Sequence, residues 1–143
     1  MLSLNIALAG QLDDFSSDGC SLFPDGTLSE QTLWCDCCFT HDIAYWQGGN
    51  SKQKELADKA LRGCILQKTA NSLLADIMYY GVVFGGSPVF PNWYRWGYGW
   101  RYGRGFQSLS KDETNRVKEK LKQYRKSTSK PLSSCRLEVK ERS

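Results

Sequence analysis

The sequence predicts a mainly α-helical domain that is held together by disulfides. Apolar side chains recur at the three- and four-residue spacing of amphipathic helices in several successive segments, and the 143 residues include six cysteines. An even and dense set of cysteines is typical of proteins that mature in an oxidising compartment. We therefore expect a secreted protein, or one of another extracytoplasmic compartment, with three disulfides whose pairing the cysteine count leaves open.

Composition excludes several other classes of protein. With 41% hydrophobic residues and a net charge of +4, the chain is too apolar for a disordered protein, and no apolar run reaches the roughly 18 to 20 residues of a membrane span. The length suits one domain, so we treat 1–143 as a single unit. A single histidine, His41, rules out sites that need two imidazoles, such as HExxH zinc centres.

Residues 1–9 fit two interpretations. They are largely apolar and end in Ala7-Leu8-Ala9, which has the small-x-small form of a cleavage site, but no basic residue precedes Lys52. They are either the remaining part of an export signal or a short structural segment at the start of the domain.

Two consecutive helices follow an irregular loop, which we expect over 13–27 because this stretch is rich in Asp, Ser, Gly and Pro. The first helix is predicted from about Ser29, as a capping residue, to Gln47, where Gly48-Gly49 ends it. The second runs from residue 50 or 51 to about residue 68. Because the turn between them is short, the two helices pack antiparallel.

A third apolar helix is predicted over 72–84, before Gly and Pro residues interrupt the pattern. An aromatic-rich segment follows at 88–106, with six aromatic residues in positions 93–102. It either packs over the helices as a structural cluster, which is the commoner case, or forms a patch suited to a lipid headgroup boundary.

The C-terminal third is a basic helix and tail, 110–143. A capping box, Ser110-x-x-Glu113, opens the helix. Residues 101–143 carry thirteen Lys and Arg against five Asp and Glu, whereas residues 1–100 carry six against ten. A solvated helix face is the commonest role of such a segment, and we expect no nucleic-acid partner. The apolar face of the helix consists of Val117, Leu121 and Tyr124.

Candidate catalytic residues cluster on the first predicted helix. Cys37, His41 and Tyr45 are spaced by four and share one face, while Cys38 and Asp42 form a second row about 100° round the axis. An imidazole thus lies beside a carboxylate that can hold a cation. This arrangement suits a reaction in which the imidazole takes a proton from water.

The base and the cation each need further groups. An imidazole base needs its other ring nitrogen held by a carboxylate or carbonyl, and Asp58 on the antiparallel helix is the best candidate. A hard cation such as Ca²⁺ takes about six to eight oxygens. Asp42 supplies the first, and the loop 18–25 can supply others.

Two other interpretations of position 41 compete with a catalytic base. The simpler is a core histidine, but three chemically matched side chains in register with it argue against that role. The other is a zinc site, although three cysteines within four residues lack the separated CxxC pairs of structural zinc sites. Its ligands would be Cys35, Cys37, Cys38 and His41.

The combined motifs resemble the two catalytic helices of secreted phospholipases A2. The first helix contains Cys37-Cys-x-x-His-Asp-x-x-Tyr45, and the second contains Asp58-x5-Cys64. The loop Asp18-Gly-Cys-Ser-x-x-Pro-Asp25 is more similar to the bacterial and fungal members of that superfamily. The likeness covers 15–66, and the joint pattern is specific where a lone His-Asp pair would not be.

The resemblance implies a phospholipase A2-like fold, with two antiparallel disulfide-linked catalytic helices, a calcium loop and an additional C-terminal helix. It implies that His41 is the general base, that Asp58 orients it, and that the Tyr45 hydroxyl is hydrogen-bonded to Asp58. The implied calcium ligands are Asp42, the Asp18 side chain and the Gly19 carbonyl, with Ser21 and Phe23 as further carbonyl donors.

The resemblance also implies the disulfide pairing. The pairs are Cys20–Cys38 and Cys37–Cys64, which leaves Cys35–Cys135. Animal-type members carry a further bonded cysteine pair where this chain has Ala44 and Ala57. Because both cysteines of that pair are missing together, the alignment of the two helices gains support.

The implied activity is calcium-dependent hydrolysis of the sn-2 acyl ester of a glycerophospholipid by histidine-activated water. The products are a fatty acid and a lysophospholipid, and the partner is a phospholipid membrane or micelle surface that the protein binds peripherally. An alternative of another class is a non-catalytic phospholipase A2-like binding protein or toxin component. A further alternative is a hydrolase of other esters with the same machinery.

Overall fold

The structure of the protein, a computed structural model, describes residues 11–17 and 33–127. These residues form four helices and no β-strand, so the prediction of a mainly helical fold is confirmed. No helix among the described residues combines the length and the hydropathy of a membrane span. The helices are α1 (Cys35–Gln47), α2 (Ser51–Thr69), α3 (Ser72–Gly85) and α4 (Lys111–Ser127).

The predicted start of the first helix is wrong. α1 begins at Cys35, and the two residues before it form a turn in which Trp34 has φ −120° and ψ 18°, outside the helical region. The indole of Trp34 is 3% exposed in the core. The helix therefore starts later than the predicted cap, Ser29, which lies outside the described residues, and no side-chain hydrogen bond from Trp34 caps it.

The turn between α1 and α2 is built as predicted. Gly48 ends α1 with φ +67°, a left-handed conformation that favours glycine. Asn50 then caps α2, because its side chain accepts from the Gln53 backbone N–H while the Gln53 side chain accepts from the Asn50 N–H. The short connection leaves α1 and α2 packed against each other.

A disulfide clamps the first two helices. The Cys37–Cys64 pairing is confirmed, with a Cα–Cα distance of 5.7 Å. Cys35 and Cys38 also take part in disulfides, while their predicted partners, Cys20 and Cys135, lie outside the described residues. Around the clamp, α1, α2 and α3 share a core that contains Trp34, Cys37, Cys38, Leu61, Ile65, Ala75 and Met78.

A second core lies on the other side of α1. It joins residues 11–17, the aromatic-rich segment and α4 to the end of α1, and Leu12 forms an isolated antiparallel bridge with Trp100. The rings pack edge to face, as in Phe15 against Trp46 with centroids 5.5 Å apart. The buried members of this core are Leu12, Phe15, Trp46, Trp100 and Val117.

Residues 96–100 cap the C-terminal end of α1. The last carbonyls of a helix lack partners within the helix. Here the Gly97 and Gly99 N–H groups donate to the carbonyls of Tyr45 and Trp46, and the Trp100 indole donates to the carbonyl of Gln47 at 2.8 Å. A Cβ at Gly99 would lie 2.6 Å from Trp46, so this close approach requires glycine. The structural interpretation of the aromatic segment is therefore correct for its buried part.

The capping box of α4 is confirmed and is tied to the second core. The Ser110 hydroxyl accepts from the Glu113 N–H, and the Glu113 carboxylate accepts from the Ser110 N–H at 2.8 Å. The same carboxylate forms a bidentate pair with Arg104, whose guanidinium stacks 4.4 Å from the Trp100 ring centroid. Hydrogen bonding by Arg104 outweighs burial and lowers the pKa of Glu113 from 4.5 to about 2.

Replacing Glu113 by Gln should destabilise the protein in a pH-dependent way. Because the folded pKa is depressed, the stabilisation is fully present above the ordinary pKa of 4.5 and is lost as the pH falls towards 2. We expect the melting temperature of Glu113→Gln to fall below that of the wild type at pH 7, and the gap to narrow by pH 3. Circular dichroism melts would measure both values.

Glu119→Gln is the matched control, since Glu119 lies exposed on the same helix. Its melting temperature should follow that of the wild type at both pH values. A gap for Glu113→Gln that stays constant between pH 7 and pH 3 would contradict the role of the ionised carboxylate.

Candidate active site

The structure brings His41 and Asp58 together. His41 lies on the second turn of α1 and is 8% exposed, and its Nε2 lies 2.9 Å from Oδ1 of Asp58 on α2. An ionised carboxylate only accepts hydrogen bonds, so Nε2 carries the proton in the neutral imidazole. The nitrogen that Asp58 does not engage is Nδ1, which is the nitrogen able to act as a base.

Tyr45 completes a three-residue cluster. It lies one turn after His41, with ring centroids 4.2 Å apart, and its hydroxyl donates to the same Oδ1 of Asp58 at 2.7 Å. Burial and the neighbouring Asp58 raise the pKa of Tyr45 above its ordinary value, so the phenol stays protonated and remains a donor. The hydroxyl also lies 3.1 Å from the carbonyl of Val82 on α3.

Asp58 is a buried carboxylate, 1% exposed. Burial alone would raise its pKa, but the hydrogen bonds from His41, Lys54 and Tyr45 outweigh burial and leave the pKa below its ordinary value. The anion is therefore the stable form in the folded protein. An ionised partner stabilises the imidazolium that forms when a histidine base takes a proton.

Sequence reasoning missed Lys54. Its Nζ donates to Oδ2 of Asp58 at 2.8 Å, and the residue is 7% exposed. The signal was present in the sequence, because Lys54 and Asp58 are spaced by four and share a helix face. Such pairs are usually solvated, and the spacing alone does not distinguish a surface pair from a buried one.

Asp42 lies next to His41 and faces the N-terminal segment. Its Oδ2 accepts from the Ser17 hydroxyl at 2.6 Å. The Tyr98 hydroxyl donates to the carbonyl of Ser16 at 2.8 Å and lies 3.3 Å from the carbonyl of Asp42. The chain immediately before Asp18 is thus held against the carboxylate that was expected to bind calcium.

The other expected calcium ligands lie outside the described residues. These are Asp18, Gly19, Ser21 and Phe23. Among the residues that the structure describes, no group of three or more His, Cys, Asp or Glu side chains could hold a metal. The zinc alternative is wrong, since all three of its cysteines are bonded in disulfides and have no thiolate to offer.

The hydrogen bond from the Tyr45 hydroxyl to Asp58 should stabilise the fold, because it replaces water at a buried anion. We expect Tyr45→Phe to lower the free energy of unfolding by about 1.5–3 kcal/mol, the usual range for a hydrogen bond to a charged group. Urea denaturation would measure the change. The control is Tyr80→Phe, since Tyr80 is 55% exposed, and this variant should match the wild type. Equal stability of all three proteins would refute the expectation.

Comparisons with known proteins identify no relative. Neither the protein-family models nor the curated proteins match the chain, and no solved structure matches its fold.

Proposed function

We propose that the protein is a phospholipase A2-like, calcium-dependent hydrolase. It cleaves the sn-2 acyl ester of a glycerophospholipid in a secreted or other oxidising extracytoplasmic location. The observation that carries the proposal is the hydrogen bond between His41 Nε2 and the ionised, buried carboxylate of Asp58, which leaves Nδ1 as the basic nitrogen. Tyr45 supports this pair through the same carboxylate oxygen.

In the proposed reaction, Nδ1 of His41 takes a proton from a water molecule as that water attacks the ester carbonyl carbon. Asp58 stabilises the imidazolium that forms, and Tyr45 holds the carboxylate in place. The imidazolium then returns the proton to the glycerol oxygen as the carbon–oxygen bond breaks. The products are a fatty acid and a lysophospholipid, and the enzyme is regenerated without a covalent intermediate.

The proposed metal is Ca²⁺, held by Asp42 with Asp18 and Gly19 as further ligands. The Asp42 carboxylate and the Ser17 hydroxyl, 2.6 Å apart, are hard oxygen groups of the kind that this ion prefers. When bound, Ca²⁺ supplies positive charge that stabilises the developing oxyanion and attracts the substrate phosphate.

The proposed partner is a phospholipid membrane or micelle surface. α3 and the loop after it expose apolar and aromatic side chains, the types that bind at a headgroup boundary. α3 also reaches the active site, since the carbonyl of Val82 lies 3.1 Å from the Tyr45 hydroxyl. The largest exposed fractions belong to Leu73 (70%), Phe84 (72%), Val89 (66%) and Trp93 (56%).

Replacing His41 by Gln should remove the activity, because His41 is the single imidazole in the chain. We expect release of fatty acid from phospholipid vesicles in the presence of Ca²⁺ to fall at least about 100-fold. Mass spectrometry of the two products would measure it. Activity that survives both this substitution and a calcium chelator would refute the proposal, and vesicle binding without hydrolysis by the wild type would favour the non-catalytic alternative.

Replacing Asp42 by Asn should weaken calcium binding without unfolding the protein, because Asp42 is only partly buried. Isothermal titration calorimetry with CaCl₂ would compare it with the wild type. Asp36→Asn is the matched control, since Asp36 lies on the same helix in an exposed pair with Lys68 at 3.2 Å. An unchanged calcium titration for Asp42→Asn would contradict its role as a ligand.

A further inference from the structure

Lys54 places a buried ammonium group behind the His41–Asp58 pair. Lysine is rarely buried, because removing its charge from water is costly unless anions and carbonyls replace the solvent. Here Nζ lies 2.8 Å from Oδ2 of Asp58 and 3.4 Å from the carbonyls of both Val82 and Val83. Three oxygens thus surround the ammonium, and two of them belong to the last turn of α3.

The position of Lys54 does not follow from helix spacing alone. α2 carries a second pair at the same spacing, Glu55 with Lys59 at 2.6 Å, and its two side chains are 43% and 55% exposed. The side chains of Lys54 and Asp58 are 9% and 2% exposed. What distinguishes the buried pair is its contact with α1 and α3, where the active site lies.

The two oxygens of Asp58 have separate partners. Oδ1 accepts from His41 Nε2 at 2.9 Å and from the Tyr45 hydroxyl at 2.7 Å, while Oδ2 accepts from Lys54. A carboxylate can rotate and exchange its oxygens unless each is held. Because Lys54 is itself anchored to α3, its ammonium resists that rotation. The ammonium also lies 5.5 Å from the Tyr45 ring centroid, so it contacts both Asp58 and Tyr45, the two residues that surround His41 in the cluster.

We propose that Lys54 is a positioning residue of the active site, whose ammonium group fixes Oδ2 of Asp58 to the end of α3 and thereby holds Oδ1 on His41 Nε2. The imidazole is then kept in the tautomer with the proton on Nε2 and the lone pair on Nδ1. This inference deepens the proposed function, and only its kinetic consequence depends on that function.

Nuclear magnetic resonance tests the proposal without any activity assay. His41 is the single histidine, so a long-range ¹H–¹⁵N spectrum of the labelled protein shows one imidazole. We expect the neutral imidazole of the wild type to be the Nε2–H tautomer and to show a hydrogen-bonded Nε2 proton. Lys54→Met should lose that proton signal to exchange, whereas Lys54→Arg, which keeps the charge, should retain it. A signal unchanged in Lys54→Met would overturn the proposal.

Two further variants keep the test decisive. Lys59→Met removes the lysine of the exposed pair on the same helix and should leave the imidazole spectrum unchanged. If circular dichroism shows that Lys54→Met is unfolded, Lys54→Gln replaces it, because its neutral amide is one bond closer to the main chain than the ammonium and cannot link Asp58 to the α3 carbonyls. The same loss of the proton signal is expected for Lys54→Gln, and a spectrum like that of the wild type would overturn the proposal.

Kinetics separate positioning from substrate binding. Lys54 lies behind Asp58, so Lys54→Met should lower kcat by about 10- to 100-fold with KM unchanged. Lys54→Arg should recover most of this loss, and Lys59→Met should match the wild type. Equal losses in Lys54→Met and Lys54→Arg, or a change in KM alone, would overturn the proposal. A wild type that releases no fatty acid would refute the proposed function, while the spectra would still decide the role of Lys54.

Discussion

The buried carboxylate of Asp58 is the constraint on which the arrangement of the helices depends. An anion that is 1% exposed is stable only if donors replace the water it has lost. Two of its donors, His41 and Tyr45, come from α1, and the third, Lys54, comes from α2 itself and also contacts the end of α3. Satisfying one charge therefore places three helices relative to each other. The Cys37–Cys64 disulfide also joins α1 to α2 within the core.

The C-terminal end of α1 creates a second requirement, because its carbonyls are buried and need donors. Residues 96–100 meet it with two backbone N–H groups and the indole of Trp100, and the indole of Trp96 donates to the Gly49 carbonyl just beyond the helix. The buried residues of the aromatic segment thus stabilise the end of α1 by donating to its carbonyls. The segment also brings Tyr98 against Ser16 and Asp42, which connects this packing to the candidate metal site.

Much of the helical framework could be predicted from local sequence. The caps at Asn50 and Ser110 act within three residues of themselves, so their signals are complete in the sequence. The start of α1 could not be predicted in this way, because Trp34, the residue before it, makes no side-chain capping hydrogen bond and so carries no local signal. The burial of Lys54 escaped prediction because the carbonyls of Val82 and Val83 beside it belong to a helix about 28 residues further along the chain.

The sequence by itself determined which described segments are helical, though not where α1 starts, and a single imidazole with acidic and phenolic neighbours at helical spacing. Its resemblance to phospholipases A2 implied the Cys37–Cys64 pairing. Periodicity and capping are local properties, so the order of residues is sufficient to indicate them. The tertiary structure alone decided which oxygen of Asp58 each donor binds, that Lys54 is buried, and that the aromatic segment caps α1. These features depend on distances between groups far apart in the chain, and only packing of the helices brings such groups within hydrogen-bonding range.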